Sequence, residues 1–493
     1  MGQVVDRTTF SRRDRQRYRI KVQRCLDTLE ELLSTHAFAD SEPMTGVEVE
    51  FSLVGPELAP SLNGRDVLDT IGSGEFQSEL GRWNVELNLP PRPLPGDQWK
   101  QLEHELLDLL AGAGAKAGDL RTQLVMIGIL PTLRAEHMVA ESISPEDRYQ
   151  ALNDQMLNAR GEPIRLDISG GEERVGGDFD TIIPEAACTS LQLHLQVAPA
   201  EFGRYWNAAQ CLAGVQLGLG ANSPFLMGSR LWAETRIPLF EQACDVRTPE
   251  FHNQGVRPRV WFGERWIDSV LDLFSENARY FPALMPLTTD VDPVAQMNEG
   301  GVPDLPELTL HNGTIWRWNR PIYDSSGDRP HVRLENRVLP SGPTTVDMVA
   351  NALFFYGLLR TLVESDQELW RSVSFEAARE NFHTAARHGM HAPLYWPGMG
   401  WVRPDELTLR TLLPLAHEGL ARWGVGGAVC DRYLTVLERR CVTRQTGASW
   451  QVDTVAALEG RGMSRDEALH GMLERYVACS TANQPVHTWE IPD

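Results

Sequence analysis

The sequence predicts an α+β fold. Two observations carry the prediction. Four short segments alternate apolar and polar residues with the period of a strand. Between and after them run long stretches with helical spacing of apolar residues. A third observation links the strands: their polar faces carry the same few chemical groups.

In chain order, residues 12–36 place Ile20, Val22, Leu26, Leu29, Leu32 and Leu33 among charges at helical spacing, an amphipathic helix whose basic face reads as solvated. Val47–Leu53 is a strand with Glu48, Glu50 and Ser52 on one face and Val47, Val49, Phe51 and Leu53 on the other. Asn84–Leu89 sets Glu86 between two asparagines. Residues 98–116 form a second helix, and 123–130 (QLVMIGIL) read as a buried strand. In Leu191–Val197, His194 lies between two glutamines. In Val332–Val338, Glu335 lies between Arg333 and Arg337, and Asn336 is the one polar break on the apolar face. Residues 345–363 form an apolar helix. Most of 364–480 reads as further helices, with loops around Pro393–Pro404 and Gly424–Gly427. The stretches 160–183 and 282–313 read as long loops, either lids or solvated insertions. These elements divide into a helical extension at 1–40, a sheet core with helices at 41–363, and a mostly helical part of the same unit at 364–493.

Composition narrows the function. With 42% hydrophobic and 23% charged residues, the 493-residue chain is ordinary globular protein. A net charge of −21 argues against nucleic acid and anionic membranes as partners. Only three lysines occur, Lys21, Lys100 and Lys116, and none sits in a Walker-type loop, so phosphate recognition falls to arginine and metal. Seven scattered cysteines without a C-x-x-C fit reduced thiols. No secretory pattern follows the basic N-terminus. The nearly apolar run Met348–Leu359 is too short to span a bilayer, so the cytoplasm is the expected location.

A solvated sheet face usually mixes Thr, Ser and Lys. Here the four polar faces offer Glu48, Glu50, Glu86, Glu335 and His194, with amides and arginines. If the strands are neighbours, these carboxylates converge and repel one another, and a divalent cation relieves that. Oxygen donors with one imidazole suit Mg²⁺ or Mn²⁺ rather than zinc, and flanking arginines suit phosphate.

The segments GVEVEF (46–51), NVELNLP (84–90), LQLHLQ (191–196), ANSPFLMG with ETR (221–228, 234–236), HVRLENRVLP (331–340), NFHTAARHG (381–389) and RQTGASWQ (444–451) resemble, in order, the glutamate–cysteine ligase superfamily, in its bacterial and plant-type carboxylate–amine ligase branch. The resemblance implies a glutamine synthetase-like fold, an antiparallel sheet forming a funnel-shaped active site with helices outside. It implies ATP and Mg²⁺, an acyl phosphate on a carboxylate, and an amine that displaces phosphate to leave an amide. Glutamate's γ-carboxyl and cysteine are the leading small-molecule substrates.

By motif position, Glu48, Glu50, Glu86, His194 and Glu335 are the implied metal ligands. Arg337 is implied at the transferring phosphoryl group, with Glu335 beside it in the catalytic pair. Arg236 matches an arginine that contacts nucleotide phosphate or substrate, while Arg333 rests on the strand-face argument alone. Asn222, Arg387 and Arg444 fall in matching segments and are candidates for substrate binding, with capping and ion pairing as the other explanation. Trp316 and Trp318, with Arg317 and Arg320, read as core packing ahead of a base-stacking gate. Val49 replaces a common glutamate but points to the opposite face. Asn336 and Val338-Leu339-Pro340 depart from the usual arginine strand. Two other activities fit such a scaffold: amide hydrolysis, and a nucleotide-binding sensor without chemistry.

Overall fold

The computed structural model describes residues 9–35, 38–39, 43–327 and 329–492. Its centre is an eight-stranded antiparallel sheet: β1 (Met44–Val54), β2 (Phe76–Ser78), β3 (Asn84–Asn88), β4 (Arg92–Pro93), β5 (Gln123–Val125), β6 (Leu191–Val197), β7 (Asn319–Asp324) and β8 (His331–Asn336). The order is β7-β8-β6-β1-β3-β2, with β4 and β5 on the two ends of β1. The α+β, antiparallel-sheet expectation is met, and the four strands read from the sequence are adjacent.

The apolar sheet face is fully covered. Val49, Phe51, Val85, Leu87, Leu193, Leu195, Val332 and Leu334 are all buried. Burying each such side chain stabilises the fold by roughly 1.5–3 kcal/mol. Over them lie the helices Phe202–Gly220 and Thr345–Glu364. Trp206 Nε1 donates to Asn319 O (2.9 Å), and Tyr356 Oη donates to His194 O (2.9 Å), so the covering helices are fixed to the strands that carry the polar face. Asn336 is satisfied on this face: its amide exchanges bonds with Gln216 (3.0 and 3.1 Å) and donates to Asn319 (2.8 Å). The helix Thr345–Glu364 is apolar on every side because it is enclosed on every side. It is long and apolar enough to cross a membrane, but 94% of its apolar window is buried in the protein.

Three segments depart from the sequence reading. The strand expected over 123–130 ends at Val125. Beyond it Gly128 is pressed against Ser223, Pro340 and the Asn222 carbonyl, where a Cβ would lie 2.9–3.2 Å from its neighbours. Residues 160–183 hold a hairpin, Ile164–Ser169 with Arg174–Phe179, that buries Ile164, Leu166, Ile168 and Val175 beneath its polar residues. Residues 282–313 contain two short helices, Pro293–Asn298 and Pro306–Gly313, each begun by a proline whose fixed φ suits a first helical turn.

The N-terminal helix, Arg12–Thr35, packs against this last stretch. Tyr18 Oη donates to Glu307 O (2.9 Å), and Lys21 caps the carbonyls of Thr289 (2.6 Å) and Val291 (2.9 Å). Its basic face is thus partly spent within the chain, with Arg24 on Asp292 (2.7 Å) and Arg17 near Asp290 (3.5 Å).

Candidate active site

The polar sheet face forms one wall of a cavity of about 680 Å³. Strand register explains how the residues meet. Glu50 lies opposite Glu86 across β1 and β3, Glu48 opposite Gln192 across β1 and β6, His194 opposite Glu335 across β6 and β8, and Glu335 opposite Arg320 across β8 and β7. Directly opposed residues on one face are in contact range. Six glutamates and four arginines line the cavity, so carboxylates outnumber guanidiniums before any ligand is counted.

On the β6–β8 side, charges are matched. Arg320 grips Glu335 with two bonds (2.6 and 2.9 Å), and Arg337 stands 3.6 Å from the same carboxylate. Burial alone would raise the Glu335 pKa, but Arg320 and then Arg337 hold it far below the ordinary carboxylate range. Glu48 is also held low: burial opposes this, and the imidazole of His194, 3.1 Å away, outweighs it. His194 Nδ1 accepts from Arg333 Nε (3.2 Å), and Arg333 is braced by Asp324 (2.7 Å). His194 Nε2 lies near Glu48 but out of line, so it has no well-directed hydrogen bond. One ligand atom from each of Glu48, His194 and Glu335 falls within 4.8 Å of the others, the spacing of a metal site.

On the β1–β3–β2 side, charges are unmatched. Glu50 accepts from Ser190 N (2.6 Å) and Gln192 Nε2 (2.9 Å), yet burial and the neighbouring Glu79 raise its pKa. Glu86 is raised strongly, by burial and then by Glu79, Glu48 and Glu50. Glu79 is raised by burial, against the pull of the nearby Arg148 guanidinium. Glu185 is pushed up to about 8 by burial, Glu79 and Glu50. Converging carboxylates with raised proton affinity, beside an imidazole nitrogen without a well-directed partner, fit oxygen-preferring Mg²⁺ or Mn²⁺.

Of the residues the sequence singled out, the structure brings Glu48, Glu50, Glu86, Glu335, Arg333 and Arg337 to the cavity wall, with His194 in contact with Glu48 at its floor. It does not bring Arg236, Asn222, Arg387 or Arg444 there. Arg236 is buried, its guanidinium on Glu234 (3.1 Å) and on the carbonyls of Arg337 and Val338, where it fixes the exit of β8. Asn222 bonds Ser341 O (2.8 Å) and Tyr476 Oη (2.7 Å). Arg387 stacks 4.6 Å over Trp232 at the surface, and Arg444, in a left-handed turn, pairs with Asp405 (2.7 Å). Trp318 is core, whereas Trp316 lines the cavity.

Sequence reasoning missed Glu79, Glu185 and the Arg148 that lines the cavity beside them, and it gave Arg320 to the core. Glu79 follows a three-residue strand too short to show a period. Glu185 sits in a 3₁₀ turn, Ile183–Ala187; a single carboxylate in the run TIIPEAA was the available signal.

The family profile of glutamate-cysteine ligase family 2 matches residues 44–478. A search of curated proteins returns no match. Among solved structures, glutamate–cysteine ligase from Francisella tularensis in complex with AMP overlaps with a TM-score of 0.53 at 14% identity, covering 92% of this chain and 91% of that one. A bifunctional glutathione synthetase from Pasteurella multocida overlaps at 0.48, with 14% identity, 93% of this chain and 55% of that one. The complex of the prokaryotic ubiquitin-like protein Pup with its ligase PafA overlaps at 0.38, with 10% identity, 89% of this chain and 72% of that one. The first of these likenesses agrees with the sheet and helix arrangement described above. With a profile that spans nearly the whole sheet and helical body, the chain belongs to glutamate-cysteine ligase family 2, a family of ATP-dependent carbon–nitrogen ligases.

Proposed function

We propose that this protein joins a small-molecule carboxylate, the γ-carboxyl of glutamate, to cysteine or another small amine through an acyl phosphate formed from ATP. The observation that carries the reading is Arg337. Its guanidinium lies buried in the cavity between Glu335 (3.6 Å) and Gln192, and its Nε has no partner. Arg320 is fully engaged by Glu335, and Arg333 by Asp324 and His194. Arg148 is held by Ser78 and Tyr149, and Arg337 keeps a donor for a phosphoryl group, with a planar fork that matches phosphate oxygens.

Phosphoryl transfer needs positioning and charge neutralisation more than a covalent nucleophile. Glu48, His194 and Glu335 are the residues to hold one Mg²⁺, and Glu50, Glu79 and Glu86 supply oxygen donors beside it. A cation held there supplies neutralisation of the triphosphate. Arg320 keeps Glu335 ionised and oriented, and Gln192 bridges Glu50 and Arg337 so that both keep their places. The substrate carboxylate oxygen bonds to the γ-phosphorus and ADP leaves. The amine nitrogen then bonds to the acyl carbon, the C–O bond to phosphate breaks, and an ammonium proton is lost.

The test is ADP release from ATP and Mg²⁺ with glutamate fixed, a panel of amines including cysteine, and a no-amine control. Amine-dependent ADP with a matching amide mass supports the ligase. Amide cleavage without ATP turnover, or ATP binding without ADP release for any pair, overturns it in favour of a hydrolase or a sensor.

A further inference from the structure

We propose that Glu185 is the carboxylate that receives the acceptor amine, holding its ammonium and taking its proton as the new C–N bond forms. The inference rests on the ligase reading above and names the residue that completes its second step.

Three observations converge on Glu185. Its backbone is pinned from all sides. Ile182 N donates to Asn153 Oδ1 (3.0 Å), Trp83 Nε1 donates to Ala186 O (3.3 Å), and Cys188 N donates to Glu185 O (2.8 Å). Ser190 N, two residues past Cys188, donates to Glu50 (2.6 Å) and ties the segment to the sheet. Its side chain, by contrast, faces the cavity with no hydrogen bond or ion pair among the described residues. A rigidly held, unpaired carboxylate facing the cavity is preorganised for a cation that arrives with substrate.

The second observation concerns which cation. The set of side chains close enough to share a metal is Glu48, His194 and Glu335 and does not include Glu185. The cavity wall also carries Ile182, Cys188, Cys244, Leu310 and Trp316, and the helix Arg236–Ala243 leads directly into Cys244 beside the turn. Apolar and thiol surface beside Glu185 suits an alkylammonium with a short apolar body.

Third, the chemistry leaves a role unfilled. An amine reaches the site as an ammonium, which has no lone pair for attack. Arg337 and Glu185 line the same cavity, so an acyl phosphate at Arg337 and an amine on Glu185 share one space. In the step, one ammonium N–H bond breaks toward a Glu185 oxygen, the freed nitrogen pair forms the C–N bond, the C–O bond to phosphate breaks with its electrons going to phosphate, and the departing phosphate takes the second N–H proton. The charged and titratable groups bearing on Glu185 are Glu79, Glu50, Cys188, Cys244 and Arg337. The first two, with burial, raise its proton affinity toward that of an amine.

The experiment compares two acceptors, cysteine and hydroxylamine, with ATP, Mg²⁺ and glutamate, in wild type, Glu185→Gln and Glu185→Asp. Hydroxylamine is uncharged at neutral pH and needs neither an ammonium anchor nor a base. Glu185→Gln is expected to lower kcat/KM for cysteine roughly 100-fold. Hydroxamate formation and the KM values for ATP and glutamate should stay within about twofold, and Glu185→Asp should restore part of the cysteine activity. Equal losses with both acceptors would make Glu185 structural and overturn the inference, as would unchanged cysteine kinetics. Wild type that releases no ADP with either acceptor would instead overturn the ligase reading, and this inference with it.

Discussion

The two sides of the cavity are built from the same side chain and balanced in opposite ways. Around Glu335 and Glu48, each carboxylate has a cationic or imidazole partner: Arg320, Arg337 and His194. Around Glu50, Glu79, Glu86 and Glu185, carboxylates face one another and raise one another's proton affinity. The contrast teaches that the protein itself supplies the counter-charge on one side and leaves it to ligands on the other. The matched side is organised before substrate arrives. On the proposed reading, the unmatched side is where cations bind and relieve the repulsion between carboxylates.

The largest effect should come from breaking the matched side. Arg320→Met leaves Glu335 buried against a single, more distant guanidinium, and removing one partner of such a pair costs about 3–5 kcal/mol. Thermal unfolding would register this as a melting-temperature drop of many degrees, and an unchanged value would contradict the pairing. Arg337→Lys, which keeps the charge but loses the planar fork, should keep the fold while kcat falls roughly 100-fold. Full activity would remove Arg337 from the phosphoryl site.

The unmatched side should respond with the opposite sign. Glu79→Gln replaces one carboxylate of this repelling cluster by a neutral amide. Metal-free protein should become more stable by on the order of 1 kcal/mol, while stabilisation by added Mg²⁺ shrinks. A less stable variant with full Mg²⁺ response would contradict this.

The pH dependence follows from the same contrast. Glu50, Glu79, Glu86 and Glu185 bind protons more tightly folded than unfolded, so their protonation favours the fold. Stability of the metal-free protein should therefore fall as pH rises from the ordinary value of 4.5 through about 8, where Glu185 is half-ionised. Glu48 and Glu335 contribute stability that is full above 4.5 and is lost only as pH falls through their lowered values. Melting should thus be lower at pH 8 than at pH 6 without metal, and Mg²⁺ should flatten the slope. A metal-free melting temperature that rises toward pH 8 would break the comparison.

The smallest effect belongs to residues outside the cavity. Arg387→Ala and Arg444→Ala should leave kcat within about twofold, since neither lines the site.

What was legible in the sequence divides along similar physical lines. Strands of five residues or more display their faces by period two, so Glu48, Glu50, Glu86, His194 and Glu335 could be assigned to one surface before any register was known. Their contacts could not, because register depends on which strands pair. Arg320 shows this: its partner Glu335 is set by the β7–β8 pairing, which nothing local announces. Short elements carry no period, so Glu79 and Glu185 were invisible. Motif position placed Arg236 and Asn222 near the site, and burial then turned both into struts behind it. Composition misled at 160–183, where glycines and acids occupy the exposed face of a hairpin whose Ile164, Leu166 and Ile168 face inward.

The account's central claim is that divalent cations complete the Glu50, Glu79 and Glu86 cluster. A Mn²⁺ titration followed by electron paramagnetic resonance, in wild type and in a Glu79→Gln, Glu86→Gln double variant, tests it directly. The account predicts saturable binding in wild type and the loss of at least one bound ion in the variant, with the Glu48–His194–Glu335 ion retained. Identical stoichiometry and affinity in the two proteins would contradict it.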